Sequence, residues 1–161
     1  MKKIFPAVLV LTLVLVADVR GADDAGPARS STDRCPVCRM YVAKYVDWHG
    51  TVVFDDSTRA VMDGPKDLFK YYLDITKYNP SRSRERVIAL QLKDYYSKAE
   101  IDATKAYYVI WGDVYGPMGH EPIPFEKESD AKKFLKEHNG KKILRFKDIT
   151  SKMVWSLDNP E

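Results

Sequence analysis

Apolar positions in this chain fall into short runs whose spacing alternates between the two-residue and 3.6-residue periods. The first run past the amino-terminal third, residues 48–54, carries the β-branched and aromatic content of a strand. Asp63-Gly64-Pro65 then reads as a helix start, with proline near the first turn. Leu68, Tyr71 and Tyr72 follow at i, i+3, i+4 spacing, with Phe69 and Leu73 on an adjoining stripe. Asn79-Pro80-Ser81 breaks the helical pattern, and residues 86–92 return as a strand. The order then recurs. Residues 106–111 form a continuous apolar strand, expected to be buried on both faces. Residues 121–125 carry Pro122 and Pro124, which suits an edge position. Ser129 is expected to cap a helix built on Ala131, Phe134 and Leu135, stopped by Asn139-Gly140, before a last strand at 142–146. The pattern predicts a small α+β domain of two similar strand–helix–strand halves, 34–95 and 96–159.

What precedes residue 34 reads differently. Lys2 and Lys3 lead into a 14-residue apolar run from Ile4 to Ala17, short of the ~20 residues that span a bilayer. Residues 1–21 are therefore expected to be a signal peptide, cleaved before Ala22. Residues 22–33 are small and polar and read as a flexible linker. No cysteine follows the apolar run directly, so a soluble periplasmic protein is expected rather than one anchored through a lipidated cysteine.

Charge removes one class of partner. Without residues 1–21 the chain keeps 23 basic and 22 acidic side chains, which gives no electrostatic case for nucleic acid. Arg82 to Arg86 reads as a solvated loop, and Lys132, Lys133 and Lys136 as the wet face of a helix.

The chemistry is concentrated in Cys35-Pro36-Val37-Cys38-Arg39-Met40, which holds both cysteines of the chain. Thiolate and thioether sulfur are soft, polarisable donors, a pairing that favours Cu(I). Competing readings exist for the C-x-x-C pair. A zinc ribbon needs a second such pair, which is absent, although His49 or His120 would complete a zinc site. A thioredoxin-like redox pair opens a helix after a strand, whereas a polar linker precedes Cys35. A disulfide across so short a loop would add little stability. Met118, between glycines in Tyr115-Gly116-Pro117-Met118-Gly119-His120, sits in a turn that can bring backbone close to a ligand. His120 stands as a further donor, a group behind the donors, or a surface histidine. His49 and His138 read as structural or solvent-facing.

Several of these segments in this order resemble the NosL family of copper-binding accessory proteins of nitrous oxide reductase. The likeness rests on residues 35–45, 63–72, 101–109, 113–121 and 130–146. The resemblance implies a mixed α+β fold with two related halves and a Cu(I) chaperone without catalytic turnover. Its implied partners are nitrous oxide reductase and the machinery that assembles its copper–sulfur centre. The family's thiol and thioether ligands fall on Cys38 and Met40, with Met118 as the third and Cys35 on the first cysteine of the motif. Arg39 stands where the family usually has glycine, and many relatives are lipoproteins.

Overall fold

The computed structural model describes residues 32–159; the expected signal peptide and most of the linker lie outside them. Two antiparallel sheets organise the chain. In the first, β1 (Gly50–Phe54) lies between β2 (Arg59–Met62) and β3 (Val87–Lys93), with β4 (Glu100–Asp102) beyond β3. Helices α1 (Pro65–Leu73) and α2 (Ile75–Tyr78) connect β2 towards β3. In the second, β5 (Tyr107–Ile110) is central, flanked by β6 (Ile123–Phe125) and β7 (Lys142–Arg145). Helix α3 (Glu128–Glu137) joins β6 to β7, and α4 (Ser151–Ser156) ends the fold. The fold is mixed α+β, as the pattern predicts. Among the described residues no helix is long and apolar enough to cross a membrane.

The central apolar strand shows why the two sheets form one unit. Side chains alternate across a strand, and β5 uses both faces. Tyr108 and Ile110 enter the larger core with Leu68, Phe69 and Leu144, while Val109 enters a smaller one with Ile123, Phe125, Ala131 and Phe134. Its neighbour β6 is an edge strand, where Pro122 and Pro124 forfeit no ladder bond that the fold needs. The backbone N–H of Tyr95 donates to the Pro124 carbonyl at 2.9 Å, linking the loop after β3 to that edge.

Helix α1 is buried around most of its circumference, charged residues included. It approaches β1 closely enough that a Cβ on Gly50 would sit 2.8 Å from Leu68 Cβ. Only the missing side chain allows that approach.

Some expectations are corrected. Helix α3 begins one residue before Ser129, with Lys127 at the cap position and no side-chain cap. Glu128 and Asp130 supply negative charge to its first turn instead. Its end behaves as read: Asn139 takes φ +53°, and the Gly140 N–H returns to the Leu135 carbonyl at 2.9 Å. The Arg82–Arg86 stretch is not simply solvated. Arg82 pairs with Asp56, and Arg86 pairs with Asp55 at 2.8 Å, pinning it to the β1–β2 turn.

Candidate metal centre

The Cys35–Met40 segment closes on itself as a knuckle. The Cys35 N–H donates to the Met40 carbonyl and the Arg39 N–H to the Cys35 carbonyl, both at 2.9 Å. To make this turn Arg39 adopts φ +67°, a left-handed conformation that costs a non-glycine residue about 1–2 kcal/mol. Arg39, which stands where the family that the sequence resembles usually has glycine, therefore occupies a glycine-favouring backbone. Arg39→Gly is expected to stabilise the fold by about 1 kcal/mol, less what glycine adds to unfolded-chain entropy. A rise in the denaturant midpoint at unchanged slope checks this, and no rise would contradict it.

The knuckle sits against the start of α1. Cys35 is fully buried and its thiol donates to Asp67 Oδ2 at 3.3 Å; the half-buried Cys38 thiol donates to Asp63 Oδ2 at 3.3 Å. One ligand atom from each of these four residues lies within 4.8 Å of the others. Both cysteines are free thiols. Asp63 precedes the helix at its approach and Asp67 lies in its first turn, where negative charge suits the exposed N–H groups. Both carboxylates are fully buried, and the second oxygen of each has no hydrogen-bond partner among the described residues. Buried polar atoms ordinarily find partners, so unfilled acceptors beside two thiols form a pocket chemically suited to a cation.

Electrostatics here protects the protons. Burial above all, reinforced by the Asp67 and Asp63 charges, pushes the Cys35 thiol up to about 12. Burial and then the Asp67 carboxylate push Cys38 up as well. Asp67 is itself raised by burial and by the Asp63 charge. Redox-active cysteines require a thiolate near neutral pH. This pair is held as thiols by its burial, which disfavours attack on a disulfide substrate.

The structure places the methionines by different means. Met40 belongs to the knuckle, and its sulfur accepts from the Tyr45 hydroxyl at 3.8 Å. Met118 lies in a tight turn closed by reciprocal Gly116–Gly119 backbone bonds of 2.8 and 3.1 Å. A Cβ on Gly116 would stand 2.5 Å from Glu121 Cγ, so this turn packs hard against the glutamate.

That turn is tied to α1 through the buried side chains of Glu121 and Lys66. Glu121 accepts from the Lys66 N–H at 2.6 Å and from the Met118 N–H at 3.2 Å. The Lys66 ammonium donates to the Met118 carbonyl and meets Asp158 at 2.8 Å. Burial pushes the Glu121 carboxyl up to about 8, against the Lys66 backbone N–H and ammonium, which hold it down. Met118 is thereby fixed to the helix turn that carries Asp63 and Asp67. His120 occupies other ground: its ring lies 4.7 Å from Tyr115 and 5.1 Å from Trp111. His49 is buried, with Nε2 2.7 Å from the Val42 carbonyl, and His138 pairs with Asp113 at 2.9 Å.

Asp63, Asp67, Lys66 and Glu121 escaped the sequence reading. Asp-Gly-Pro-Lys-Asp reads locally as an ordinary helix start, and no short-range signal reveals that its charges face inwards. Lys66, Asp67 and Lys70 share one side of α1, as the wet stripe of an ordinary surface helix would, so the spacing points away from their burial.

The NosL family profile matches residues 28–154. Over 54 residues the chain is 41% identical to the copper-binding lipoprotein NosL of Stutzerimonas stutzeri, a match covering 34% of this chain and 28% of that relative. The crystal structure of the copper chaperone NosL from Shewanella denitrificans superposes with a TM-score of 0.63 at 23% identity, covering 79% of this chain and 96% of that one. The solution structure of apo-NosL from Achromobacter cycloclastes gives 0.42 at 23% identity, over 65% and 87%. The first superposition shows a shared fold, and with the family profile running through both sheets, this chain belongs to the NosL family.

Proposed function

We propose that this chain is an extracytoplasmic copper chaperone that holds Cu(I) and passes it on during assembly of the copper–sulfur centre of nitrous oxide reductase. One observation carries the reading: two buried or half-buried thiols and two buried carboxylates present donor atoms within 4.8 Å of one another. Cys35 and Cys38 supply thiolates, and the thioethers of Met40 and Met118 suit a soft monovalent ion better than any hard one. Asp67, which accepts from the Cys35 thiol and is raised by burial, stands ready beside the sulfurs to take a displaced proton. Thioethers bind weakly enough to be replaced by a recipient's sulfur, so the ion moves by ligand exchange without entering water as a free ion. The protonated state of both thiols supports a carrier over a thiol–disulfide oxidoreductase. Family membership and the copper-binding lipoprotein relative support the extracytoplasmic setting.

Anaerobic Cu(I) titration against a competing chelator tests this. Affinity tighter than micromolar is expected, with Met40→Ala and Met118→Ala each weakening it about tenfold, or about 1.4 kcal/mol. Micromolar binding indifferent to both substitutions rejects the reading. A second reading rests on the two carboxylates: a two-sulfur, two-oxygen set also suits Zn(II). Zn(II) displacing Cu(I) at equal concentration would favour it.

A further inference from the structure

The surface beside the Met118 turn carries a groove of about 710 Å³ that the metal centre does not use. Its walls are Trp111, His120 and Trp155, with Lys141 and Lys152 at the rim. Trp111 follows β5 directly and holds φ +63°. For a bulky residue that conformation is an outlier, and such strain gathers where a side chain must be presented in a set direction. The presentation is towards His120, whose ring centroid lies 5.1 Å away, and towards the Lys141 ammonium, 5.9 Å from the indole centroid. Trp155 is 47% exposed on α4, three residues beyond Lys152.

Charge identifies the occupant. Among the described residues neither Lys141 nor Lys152 has a carboxylate within ion-pair distance, although both are exposed. Asp158, one residue before the groove's Asn159, is already held by Lys66 at 2.8 Å and Lys70 at 2.7 Å. Trp155 also has cations near its ring, with Lys70 4.6 Å and Lys77 5.3 Å from its centroid. The groove is thus aromatic at its walls and positive around them. Its volume lies within the range of about 300–1,000 Å³ typical of sites that enclose a side chain or small ligand. A concave site of that size admits an inserted residue, whereas a bilayer surface would meet only its rim.

We propose that this groove docks an acidic segment of the protein that receives the metal, inserting an apolar side chain between Trp111 and Trp155 while its carboxylates meet Lys141 and Lys152. The purpose rests on the chaperone reading, because His120 stands two residues from Met118 and a partner seated here lies beside that turn. Charge complementarity of this kind raises the rate of encounter and sets orientation. Binding at the groove, however, is independent of copper.

The test uses the chain with its indole N–H resonances resolved by NMR. The probes are a tryptophan-free acidic peptide with one central phenylalanine, a basic peptide of the same length, and vesicles containing phosphatidylglycerol. The acidic peptide is expected to shift the Trp111 and Trp155 indole signals and to leave Trp48, packed on Tyr95, in place. In Lys141→Glu/Lys152→Glu its affinity is expected to fall at least tenfold, with Cu(I) affinity unchanged. Cys38→Ser is expected to lose copper and keep the peptide, which separates failure of the groove from failure of the chaperone reading. The proposal is overturned by still indoles at Trp111 and Trp155, by equal binding to the charge-reversed variant, by equal binding of the basic peptide, or by a response to vesicles alone.

Discussion

Cys38→Ser is expected to weaken Cu(I) binding at least about 100-fold, or about 2.7 kcal/mol, at neutral pH. Serine keeps the size of the side chain and its hydrogen bond to Asp63, 3.3 Å away in the native protein, but replaces a soft donor with a hard one. Losing a group that merely supports a ligand typically costs about 10–100-fold, so losing a ligand itself sets that as a floor. The same substitution changes the pH dependence. Burial keeps both thiols protonated at neutral pH, so each thiolate that binds metal must first release a proton. The sign follows: below the thiol pKa, lowering the pH weakens apparent affinity, by about tenfold per pH unit for each thiolate in the site. With Cys35 and Cys38 both bound the slope approaches about two decades per unit, less any proton that Asp67 retains. Removing Cys38 is expected to lower that slope by about one. Chelator titrations between acidic and mildly alkaline pH measure it. An identical affinity and slope in the variant would remove Cys38 from the site.

Lys66→Met is expected to destabilise the fold by about 3 kcal/mol. The side chain is wholly buried, and methionine keeps most of its apolar stem while deleting the ammonium. Breaking one side of a buried charge pair typically costs about 3–5 kcal/mol, because the remaining charge loses its partner in low dielectric. The lower end applies, since Asp158 is 26% exposed and keeps Lys70 at 2.7 Å. What is lost outright is the bond to the Met118 carbonyl and the cation beside Glu121. Denaturant unfolding reads the stability, and a change within about 0.5 kcal/mol would contradict the assignment. Because Lys66 fixes the Met118 turn, Cu(I) affinity is expected to fall with it, by about tenfold. Asp158→Asn separates the two effects: it weakens the ion pair at the partly exposed end and leaves the ammonium on the Met118 carbonyl. Stability is then expected to fall by less than in Lys66→Met, with copper affinity retained.

The two substitutions differ in what the sequence discloses about them. Cys38 announces itself because its partners Cys35 and Met40 are neighbours along the chain, and soft-donor chemistry needs no fold to be recognised. Lys66 gives no such notice: its role depends on Met118, Glu121 and Asp158, which only folding brings to it. The apolar period located α1 and the two flanks of β5, because burial of a face imposes a repeat on the sequence. It passed over β2, whose Arg59-Ala60-Val61-Met62 does not alternate, over β4, where Ile101 stands alone between two acids, and over the 6-residue α4 that carries Trp155. The family glycine pattern marked Arg39 as odd, and the backbone supplied the cause in its φ of +67°.

By itself the sequence determined the sulfur inventory, the mixed α+β character and the kinship, all of which are written in local spacing and residue type. Tertiary structure alone decided that Asp63 and Asp67 meet the thiols, that the Met118 turn is tied to the same helix turn, and that His120 faces an aromatic groove. Those outcomes depend on which face of α1 is buried and on a hydrogen bond from the Lys66 backbone N–H to Glu121 across 55 residues of chain. Contacts between such distant segments are set by packing and desolvation, which no short stretch of chain encodes.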